Sequence, residues 1–291
     1  MRVIIFGGSG FLGSHVSDAL QENGHDVIIY DMKESPYAST GQRAILGDIL
    51  DPKQVMAAVD GCDTVYNFAG IADLDDARTR PIDTINQNIL GNANILEACI
   101  AAKVKRYVYA STIYVYSEKG GFYRCSKQAA ESYIEEYNRK YGLPFTILRF
   151  GTVYGPRADR RNSIYRYLRA ALTKGIIEVH GSGEEHREYI HVKDAAWMSV
   201  KILDGDYENE HITLTGHQSM KFKDLLRIIS EILNNKIEIK YSGIDNGAHY
   251  EMTPYSYTPK IGHKMTSKRY IDLGQGLLQC LAEIDQELSE R

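Results

Sequence analysis

The stretch Arg2–His15, RVIIFGGSGFLGSH, decides the fold of this 291-residue chain. Its first five residues are nearly all apolar, which is typical of a central strand in a parallel sheet. Three glycines with the spacing GxxGxxG follow this strand directly and open a helical pattern. A bare glycine backbone lets a pyrophosphate reach the free N–H groups of the helix, so the stretch predicts dinucleotide binding. The predicted contacts are Gly7, Gly10, Phe11, Leu12 and Gly13.

Outward from this stretch, short apolar runs alternate with helical patterns as far as residue 150. The repeated order of strand then helix predicts an α/β fold with right-handed crossovers, a Rossmann-type doubly wound parallel sheet. The predicted strands are Arg2–Phe6, Asp26–Tyr30, Arg43–Ile49, Asp63–Ala69, Arg106–Ser111 and Phe145–Phe150. The predicted helices are Phe11–Asn23, Pro52–Val59, Pro81–Ala102 and one from near Tyr123 to Tyr141. The predicted apolar face of the helix Pro81–Ala102 consists of Ile85, Ile89, Ile95, Leu96 and Cys99.

The pattern loosens after Gly151, and no flexible linker separates the two halves. We therefore predict a dinucleotide-binding domain at 1–150 and a smaller C-terminal substrate lobe at 151–291, interleaved with the sheet. The stretch Ser242–Lys264 is rich in Gly, Pro and Tyr, which predicts an ordered loop over the cleft. The lobe's predicted helices are 161–174, 193–203, 222–233 and 276–288, and its predicted strands lie near Ile177, Tyr189, Ile212 and Ile237.

Composition excludes several classes of partner. The net charge is −4 and the pI about 6.2, so the chain has no global electrostatic reason to bind nucleic acid or an anionic membrane. No apolar run approaches the roughly 18 residues of a membrane helix. The four cysteines lack metal-ligand spacing, which predicts no metal site and reduced thiols in a cytoplasmic protein. One stretch, Arg157–Arg169, carries five arginines, either a solvated helix start or an anion site.

Asp31 ends the second predicted strand, 18 residues beyond Gly13. A carboxylate there accepts hydrogen bonds from both ribose hydroxyls and repels a 2′-phosphate, so NAD is favoured over NADP. Lys33 softens that repulsion, and a turn-forming aspartate is the alternative interpretation. The other predicted cofactor contacts are Asp48, Ile49, Phe68, Ala69 and Gly70.

Tyr123 and Lys127 are spaced i, i+4 and share one helix face. A lysine ammonium beside a phenol lowers the phenol's pKa and also holds the nicotinamide ribose. With a Thr or Ser hydroxyl from the end of the fifth strand, the pair can take a proton from an alcohol as hydride leaves its carbon. YxxxK alone is common by chance and fits a surface pair, but here it follows a glycine loop and a strand ending in AST.

The chain resembles the extended short-chain dehydrogenase/reductase family, the nucleotide-sugar epimerases and dehydratases. The motifs that carry the resemblance are GGSGFLG, DILD, NFAG, NILGNANILEAC, YASTIYVYS, YRCSK, LRFGTVYGPR and GSGEEHREYIHVKDAA. The resemblance implies that Tyr123 is the catalytic acid–base and that Lys127 adjusts its pKa. By the same resemblance Thr112, with Ser111 beside it, supplies the partner hydroxyl. It also implies that Arg187 binds a substrate diphosphate, and that Thr152 and Asn162 contact the substrate.

Three departures from the family's pattern bear on which reaction the chain catalyses. The 4,6-dehydratases carry an Asp-Glu pair where this chain has Ile113 and Tyr114, so dehydration is not expected. The sugar-acid decarboxylases usually have Glu at the second of those places, and that is absent too. The gap from Thr112 to Tyr123 is shorter than in relatives, which predicts a more open sugar end of the cleft.

Three functions follow as hypotheses. The first is an NAD-dependent nucleotide-sugar epimerase acting at C4 through a transient 4-keto sugar. The second is an NAD(P)-dependent 4-dehydrogenase or 4-ketoreductase with exchangeable cofactor, and the third a non-catalytic dinucleotide-sensing protein. The resemblance also implies a homodimer formed by helices Pro81–Ala102 and Tyr123–Tyr141. In it Tyr133, Ile134 and Tyr137 would face the partner, unless they pack only within the subunit.

Overall fold

A computed structural model describes residues 1–217, 219–242, 263–265 and 270–290 of the chain. Residues 243–262, nearly all of the predicted loop Ser242–Lys264, lie outside the described residues, so that loop stays a prediction. Across the described ranges, no helix is long and apolar enough to cross a membrane.

The chain forms thirteen strands within the described residues, and eight of them make one parallel sheet. In chain order the strands are β1 (Arg2–Phe6), β2 (Asp26–Asp31), β3 (Arg43–Leu46), β4 (Thr64–Asn67), β5 (Arg106–Thr112), β6 (Phe145–Phe150), β7 (Thr152–Tyr154), β8 (Ile176–Val179), β9 (His186–His191), β10 (Glu210–Leu214), β11 (Ser219–Lys221), β12 (Glu238–Tyr241) and β13 (His263–Met265). The large sheet has the order β13-β10-β6-β5-β4-β1-β2-β3. This order is that of a doubly wound sheet with its switch point between β1 and β4, so the predicted fold class is confirmed.

The helices cover both faces of the sheet. They are α1 (Phe11–Glu22), α2 (Pro52–Val59), α3 (Leu74–Thr79), α4 (Pro81–Ile85), α5 (Gly91–Ala101), α6 (Gly121–Tyr141), α7 (Ser163–Lys174), α8 (Val192–Lys201), α9 (Phe222–Ile232) and α10 (Leu273–Ser289). Helices α1 and α8 pack on one face, and α2, α5 and α6 on the other. Strand β1 is sealed between the two layers, with Val3–Phe6 fully buried. Its near-continuous apolar sequence follows from that position.

The second half of the chain contributes to both parts of the molecule. Strand β10 pairs with β6, and β13 pairs with β10, so both extend the main sheet. The remaining lobe has a separate apolar core formed by α7, α9, α10 and the short strands β8 and β12. Residues from the second half of the chain thus lie both in the main sheet and in the separate core, and the division at residue 150 stays a prediction.

The predicted helix Pro81–Ala102 contains a π-helical turn at Asn86–Leu90 between α4 and α5. A π turn inserts one residue, which rotates the preceding part of the helix by about 100° relative to the rest. Ile85, predicted to lie on the apolar face, is 49% exposed, so that part of the prediction is wrong. Ile95, Leu96 and Cys99, beyond the π turn, are fully buried as predicted.

Candidate active site

The glycine loop lies where the ends of β1 and β4 meet. The Gly7 N–H donates to the Tyr30 carbonyl at 2.9 Å, and Gly7 has φ +77°, a value that glycine adopts without strain. A Cβ on Gly7 would lie 2.6 Å from the Ala69 nitrogen. A Cβ on Gly13 would lie 3.0 Å from the Gly7 carbonyl carbon and still closer to its oxygen. The tight turn and the close approach of helix and strand therefore both require glycine.

The start of α1 is free to receive an anion. Its N-cap is Gly10, which has no side chain that could accept a hydrogen bond from the helix. As in any helix, the N–H groups of the first turn, here those of Phe11, Leu12 and Gly13, have no intrahelical partner. A Cβ on Gly10 would meet only the Gly7 oxygen, at 3.2 Å. Glycine at position 10 is therefore less strictly required for packing than at positions 7 and 13, and the absence of a side chain leaves room for a pyrophosphate.

Asp31 lies beside this loop at the end of β2. Its Oδ2 accepts a hydrogen bond from the Ser9 N–H at 3.1 Å, and its Oδ1 accepts one from the Lys33 N–H at 3.3 Å. The carboxylate is only partly buried and keeps acceptor capacity for a ligand. The bond from Ser9 fixes the carboxylate against the glycine loop, which is where the ribose of a bound dinucleotide belongs.

The remaining predicted cofactor residues surround the same end of the sheet. Asp48 is held by its Oδ1, which accepts from the Leu50 N–H at 2.9 Å, and Ile49 is buried against Gly91. Phe68 donates its N–H to the Phe6 carbonyl at 2.8 Å, so it continues the line of β4 beside the glycine loop. Ala69 and Gly70 follow, with Gly70 at φ +134°. Phe68, Ala69 and Gly70 therefore continue from β4 directly beside the glycine loop.

Thr112, Tyr123 and Lys127 meet at the carboxyl end of β5. Thr112 is the last residue of β5, and its hydroxyl lies within hydrogen-bond reach of Tyr123. The Lys127 ammonium donates to the Ala110 carbonyl at 2.8 Å and lies 4.6 Å from the Tyr109 ring and 5.9 Å from the Tyr123 ring. The structure therefore brings the predicted trio together. The carbonyl bond fixes the lysine beside the strand that presents Thr112.

The electrostatics of the trio differ from the prediction in one respect. Burial raises the pKa of Tyr123 to about 12, with a smaller opposing effect from the Thr112 hydrogen bond. Burial also lowers the pKa of Lys127 to about 8, while the Glu131 carboxylate raises it. The expectation that the lysine brings the phenol's pKa towards neutrality is wrong for the protein by itself. The ammonium is directed to the Ala110 carbonyl and lies 5.9 Å from the Tyr123 ring, so burial determines the direction of the phenol's pKa shift.

The short connection from Thr112 to Tyr123 is compact. It begins with a 3₁₀ turn, Ile113–Tyr116, in which Ile113 is buried. The Tyr114 ring lies edge-on to the Tyr123 ring at 6.3 Å and is so close to Gly120 that a Cβ there would lie 2.7 Å from it. The two positions where dehydratases carry carboxylates are thus occupied by a core side chain and an aromatic neighbour of Tyr123.

Ser111 is committed to another partner. Its hydroxyl donates to Glu131 Oε1 at 2.5 Å, and both residues are buried. Glu131 in turn forms an ion pair with Arg149, with 2.6 Å between Oε2 and Nη2. The structure thus places Ser111 in an internal network, while Thr112 faces Tyr123. This placement argues against Ser111 as a substrate ligand.

The predicted substrate residues of the lobe lie together. Arg187 is buried on β9 and donates from Nη1 to the His186 carbonyl at 2.9 Å. Thr152 pairs with Tyr189, two residues beyond Arg187, through the parallel pairing of β7 and β9. Asn162 caps α7 by accepting from the Tyr165 N–H at 3.1 Å, and its amide donates to the Val153 carbonyl at 2.8 Å. Asn162 therefore has a structural task as a helix cap, whatever it contributes to a substrate.

The arginine stretch Arg157–Arg169 is partly neutralised by carboxylates. Arg157 forms an ion pair with Asp18 at 2.8 Å, and Arg161 forms one with Asp159. Arg166 lies 4.0 Å from the carboxylate of Asp73. The Arg157 N–H also donates to Glu283 on α10, at 2.8 Å to Oε2. These arginines tie the lobe to α1 and to the start of α3. The pairing favours a structural role for much of the stretch over a single anion site.

Sequence reasoning missed Asn88, which lies in the π turn. Its Oδ1 accepts from the Ile71 N–H at 2.7 Å, and its Nδ2 donates to the Ile71 carbonyl and to Ser126 Oγ, both at 2.9 Å. Ser126 Oγ donates to the Tyr123 carbonyl at 2.8 Å. Asn88 thus links the segment after β4 to the first turns of α6. The motif NILGNANILEAC contains this residue, but its contacts join segments 17 and 38 residues apart and are seen only in the structure.

Comparison with known proteins gives a family match over most of the chain. The family described as NAD dependent epimerase/dehydratase matches residues 3–214. A UDP-N-acetyl-alpha-D-glucosaminuronate decarboxylase of Bacillus cytotoxicus is 29% identical over 264 residues, which cover 82% of each chain. A dTDP-D-glucose 4,6-dehydratase of Mus musculus is 25% identical over 260 residues, covering 79% of this chain and 73% of that protein.

Solved structures share the same fold. The crystal structure of a UDP-glucose 4-epimerase from Thermotoga maritima with UDP-glucose superposes with a TM-score of 0.87 at 25% identity, covering 99% of this chain and 100% of that one. These relatives catalyse a decarboxylation, a dehydration and an epimerisation. Overall similarity therefore fixes the family, and the choice of reaction depends on the residues at the site.

Proposed function

Because this chain belongs to the NAD dependent epimerase/dehydratase family, we propose that it is a nucleotide-sugar epimerase that acts at C4 through a transient 4-keto sugar. The family is one of enzymes with NAD as cofactor, as the sequence predicts. The observation that carries the proposal is the meeting of Thr112, Tyr123 and Lys127 at the end of β5, without a carboxylate at either position that follows Thr112.

The residues after Thr112 support epimerisation over the reactions of the other relatives. The 4,6-dehydratases that this chain resembles eliminate water with an Asp-Glu pair directly after the Thr, in addition to the redox trio. Ile113 has no ionisable group and is buried, and Tyr114 carries a phenol. Besides bound NAD, which would accept and return the hydride, a 4-epimerase needs only a proton acceptor at the C4 hydroxyl and space for the keto sugar to turn over. The trio provides the first of these.

The chain's own residues would act as follows. Tyr123, hydrogen-bonded to Thr112, takes the proton from the C4 hydroxyl and returns it to the C4 oxygen after the sugar has turned. Thr112 holds that oxygen, and Lys127 orients the cofactor ribose. The cradle of glycine loop, Asp31 and Phe68–Gly70 would hold NAD, which when bound supplies the hydride acceptor and donor and a positive charge that favours the phenolate. Arg187 would bind the diphosphate with its guanidinium fork.

The test is turnover without added cofactor. Purified protein is incubated with UDP-, dTDP-, GDP- and CDP-sugars, each as one C4 epimer, and the epimer ratio is followed by NMR. We expect interconversion of at least one pair with no net change in reduced nicotinamide. Net production or consumption of NADH would instead favour the exchangeable-cofactor 4-dehydrogenase or 4-ketoreductase. No change in any sugar or cofactor would contradict both.

Asp31 should set the cofactor preference. We expect Asp31→Asn to weaken NAD binding about tenfold, since a hydrogen bond to a charged acceptor is worth about 1.5–3 kcal/mol and the amide keeps part of it. NADP binding should strengthen, because the repulsion of its 2′-phosphate is removed. Calorimetric titration of cofactor-free protein measures both affinities. Asp26→Asn, at the exposed opposite end of β2, is the matched control and should leave both unchanged.

A homodimer through α4, α5 and α6 is part of the proposal. The face of these helices carries exposed apolar side chains, among them Ile85 (49% exposed), Leu90 (50%) and Tyr133 (50%). Two other residues predicted for this face pack within the subunit. Ile134 is buried, and the Tyr137 hydroxyl bonds Glu97 on α5. The interface prediction is therefore wrong for Ile134, and it stays a proposal for Tyr133 and for Tyr137, which is only half-buried.

We expect Ile85→Glu to weaken dimerisation about 30-fold, which corresponds to a loss of about 2 kcal/mol in the free energy of association. Sedimentation analysis across a concentration series measures the dissociation constant. Leu278→Glu is the control, because Leu278 is similarly exposed (46%) but lies on α10. A monomeric wild type, or equal effects of both substitutions, would contradict this interface.

We place the protein in the cytoplasm, a proposal that its thiols support. All four cysteines are free, and three are buried. Cys125, only two residues from Tyr123, is exposed as a free thiol. An exposed thiol beside an active site is compatible with a compartment that keeps thiols reduced.

A further inference from the structure

A buried cluster of polar side chains lies behind the proposed trio. Glu131 and Arg149 form its centre, with side chains only 7% and 4% exposed. Glu131 Oε1 accepts from Arg149 Nε at 3.0 Å and from the Ser111 hydroxyl at 2.5 Å, while Oε2 accepts from Arg149 Nη2 at 2.6 Å. The remaining Arg149 nitrogen, Nη1, donates to the Tyr116 hydroxyl at 2.5 Å, and the guanidinium stacks on the Tyr116 ring at 4.7 Å.

This cluster joins four elements that meet at the site. Glu131 is on α6, one helical turn beyond Lys127, and Arg149 is on β6. Ser111 is on β5, directly before Thr112, and it pairs with Arg149 in the sheet. Tyr116 ends the 3₁₀ turn that follows Thr112. The chain is therefore held on both sides of Thr112 and fastened to the helix that carries Tyr123 and Lys127.

An ion pair this deeply buried needs an explanation other than stability. Taking both charges out of water costs several kcal/mol, and apolar replacement of such a pair is often neutral or stabilising. Here each charged group has hydrogen-bond partners of defined geometry, and two of these partners, Ser111 and Tyr116, lie on either side of Thr112 in the chain. The pair is therefore suited to fixing geometry, because a bidentate carboxylate–guanidinium contact allows little relative movement of α6 and the sheet.

We propose that Glu131 and Arg149 are positioning residues for the reaction: they set the distance between Thr112 and Tyr123, and the Glu131 carboxylate, one helical turn beyond Lys127 on the same face of α6, is the negative charge beside this lysine. The expected effect on kcat rests on the proposed function. The expected effect on the titration of Lys127 does not.

The second part follows from the surroundings of Lys127. The titratable and charged groups that face it are Tyr109 on β5 and Tyr123 and Glu131 on α6, with Arg149 on β6 behind Glu131. Burial lowers the pKa of Lys127 to about 8, and the carboxylate of Glu131 opposes this. Without that negative charge, burial acts unopposed, and the lysine loses its proton at a lower pH.

The test is Glu131→Gln in the purified protein. The amide keeps the size and one acceptor but removes the charge. We expect the titration midpoint of Lys127, followed by NMR of ¹³C-labelled lysine and assigned by its loss in Lys127→Met, to fall by about one pH unit. We also expect kcat to fall about 10- to 100-fold with little change in the sugar KM, since small displacements of reacting groups have effects of this order. The alkaline fall of kcat should move to lower pH with the lysine.

Glu135→Gln is the matched control. Glu135 lies one turn further along α6, is also buried, and pairs with His211 on β10 at 3.1 Å. Its replacement removes a buried carboxylate from the same helix without touching the cluster. It should lower Tm comparably while leaving the Lys127 titration and kcat as in the wild type.

A second variant keeps the test decisive if Glu131→Gln does not fold. The double variant Glu131→Met with Arg149→Met removes both charges at similar volume, a replacement that buried pairs often tolerate. It should fold and show the same lowered Lys127 titration and reduced kcat. A Lys127 titration in the variants equal to that of the wild type and of Glu135→Gln would overturn the inference.

The two proposals can fail separately. If the wild type converts no nucleotide sugar, the proposed function fails, and the Lys127 titration alone decides the inference. The alternative outcome is that the wild type proves to be an epimerase while Glu131→Gln has a lower Tm but an unchanged kcat and an unchanged Lys127 titration. In that case the cluster has only a structural role, and the inference fails while the proposed function stands.

Discussion

Tyr123→Phe is expected to reduce kcat by about 10²- to 10⁴-fold while NAD stays bound, because it removes only the proton acceptor. The phenol oxygen is the group that hydrogen-bonds Thr112, and the ring itself packs edge-on against Tyr114. Phenylalanine keeps that packing, so Tm should change little. Steady-state epimerisation rates, thermal melting and the absorbance of released cofactor measure the three quantities.

The control for this substitution is Tyr141→Phe, which removes a phenol from the exposed last residue of the same helix and should leave kcat unchanged. Full turnover by Tyr123→Phe would eliminate Tyr123 as the acid–base. If the variant also kept its full biological function, the dinucleotide-sensing hypothesis would gain over both enzymatic ones.

Gly13→Ala is expected to abolish cofactor retention. The added Cβ would lie within 3.0 Å of the Gly7 carbonyl carbon and of the Gly8 Cα, and closer still to the Gly7 oxygen. All three atoms are backbone atoms of the glycine loop, which cannot move aside as a flexible side chain would. The helix must therefore shift away from the strand, at a cost of about 1–3 kcal/mol in the free energy of unfolding, and the anion-binding N–H groups shift with it.

Two glycine variants separate the effect on folding from the effect on binding. Gly205→Ala should alter neither, since nothing lies within 4 Å of a Cβ there and its φ is not positive. Gly10→Ala should keep Tm near that of the wild type but weaken NAD binding, because its Cβ would meet only the Gly7 oxygen at 3.2 Å. Calorimetry for NAD and thermal melting distinguish the cases. Undiminished NAD content in purified Gly13→Ala would contradict the proposed cofactor cradle.

The sequence predicted the cofactor half of the molecule closely, because the information there is local. Strand β1, the glycine loop and α1 follow one another directly, and their periodicity and spacing need no distant partner. The pair of Tyr123 and Lys127 is equally local, since a separation of four residues places both on one helix face. The confirmed fold class depends on the same kind of pattern, repeated along the chain.

The errors fall where a local pattern was extended too far. Ile85 was placed on the apolar face of an uninterrupted helix, and the π turn at Asn86–Leu90 rotates it outwards. Ile134 was predicted to face a partner subunit, but it is buried in the core of its own subunit. The pKa of Tyr123 was expected to fall, but burial, which no sequence pattern measures, raises it to about 12.

By itself, the sequence determined that this chain builds a doubly wound sheet, binds a dinucleotide and carries a tyrosine–lysine pair, because each of these is specified by residues near one another in the chain. Only the tertiary structure decided which groups surround the pair. Glu131 meets Arg149 and Ser111 across separations of 18 and 20 residues, and β10 reaches the main sheet from the far half of the chain. Such contacts form where sequence-distant segments are packed together in the same core, so their geometry emerges only when the whole chain has folded.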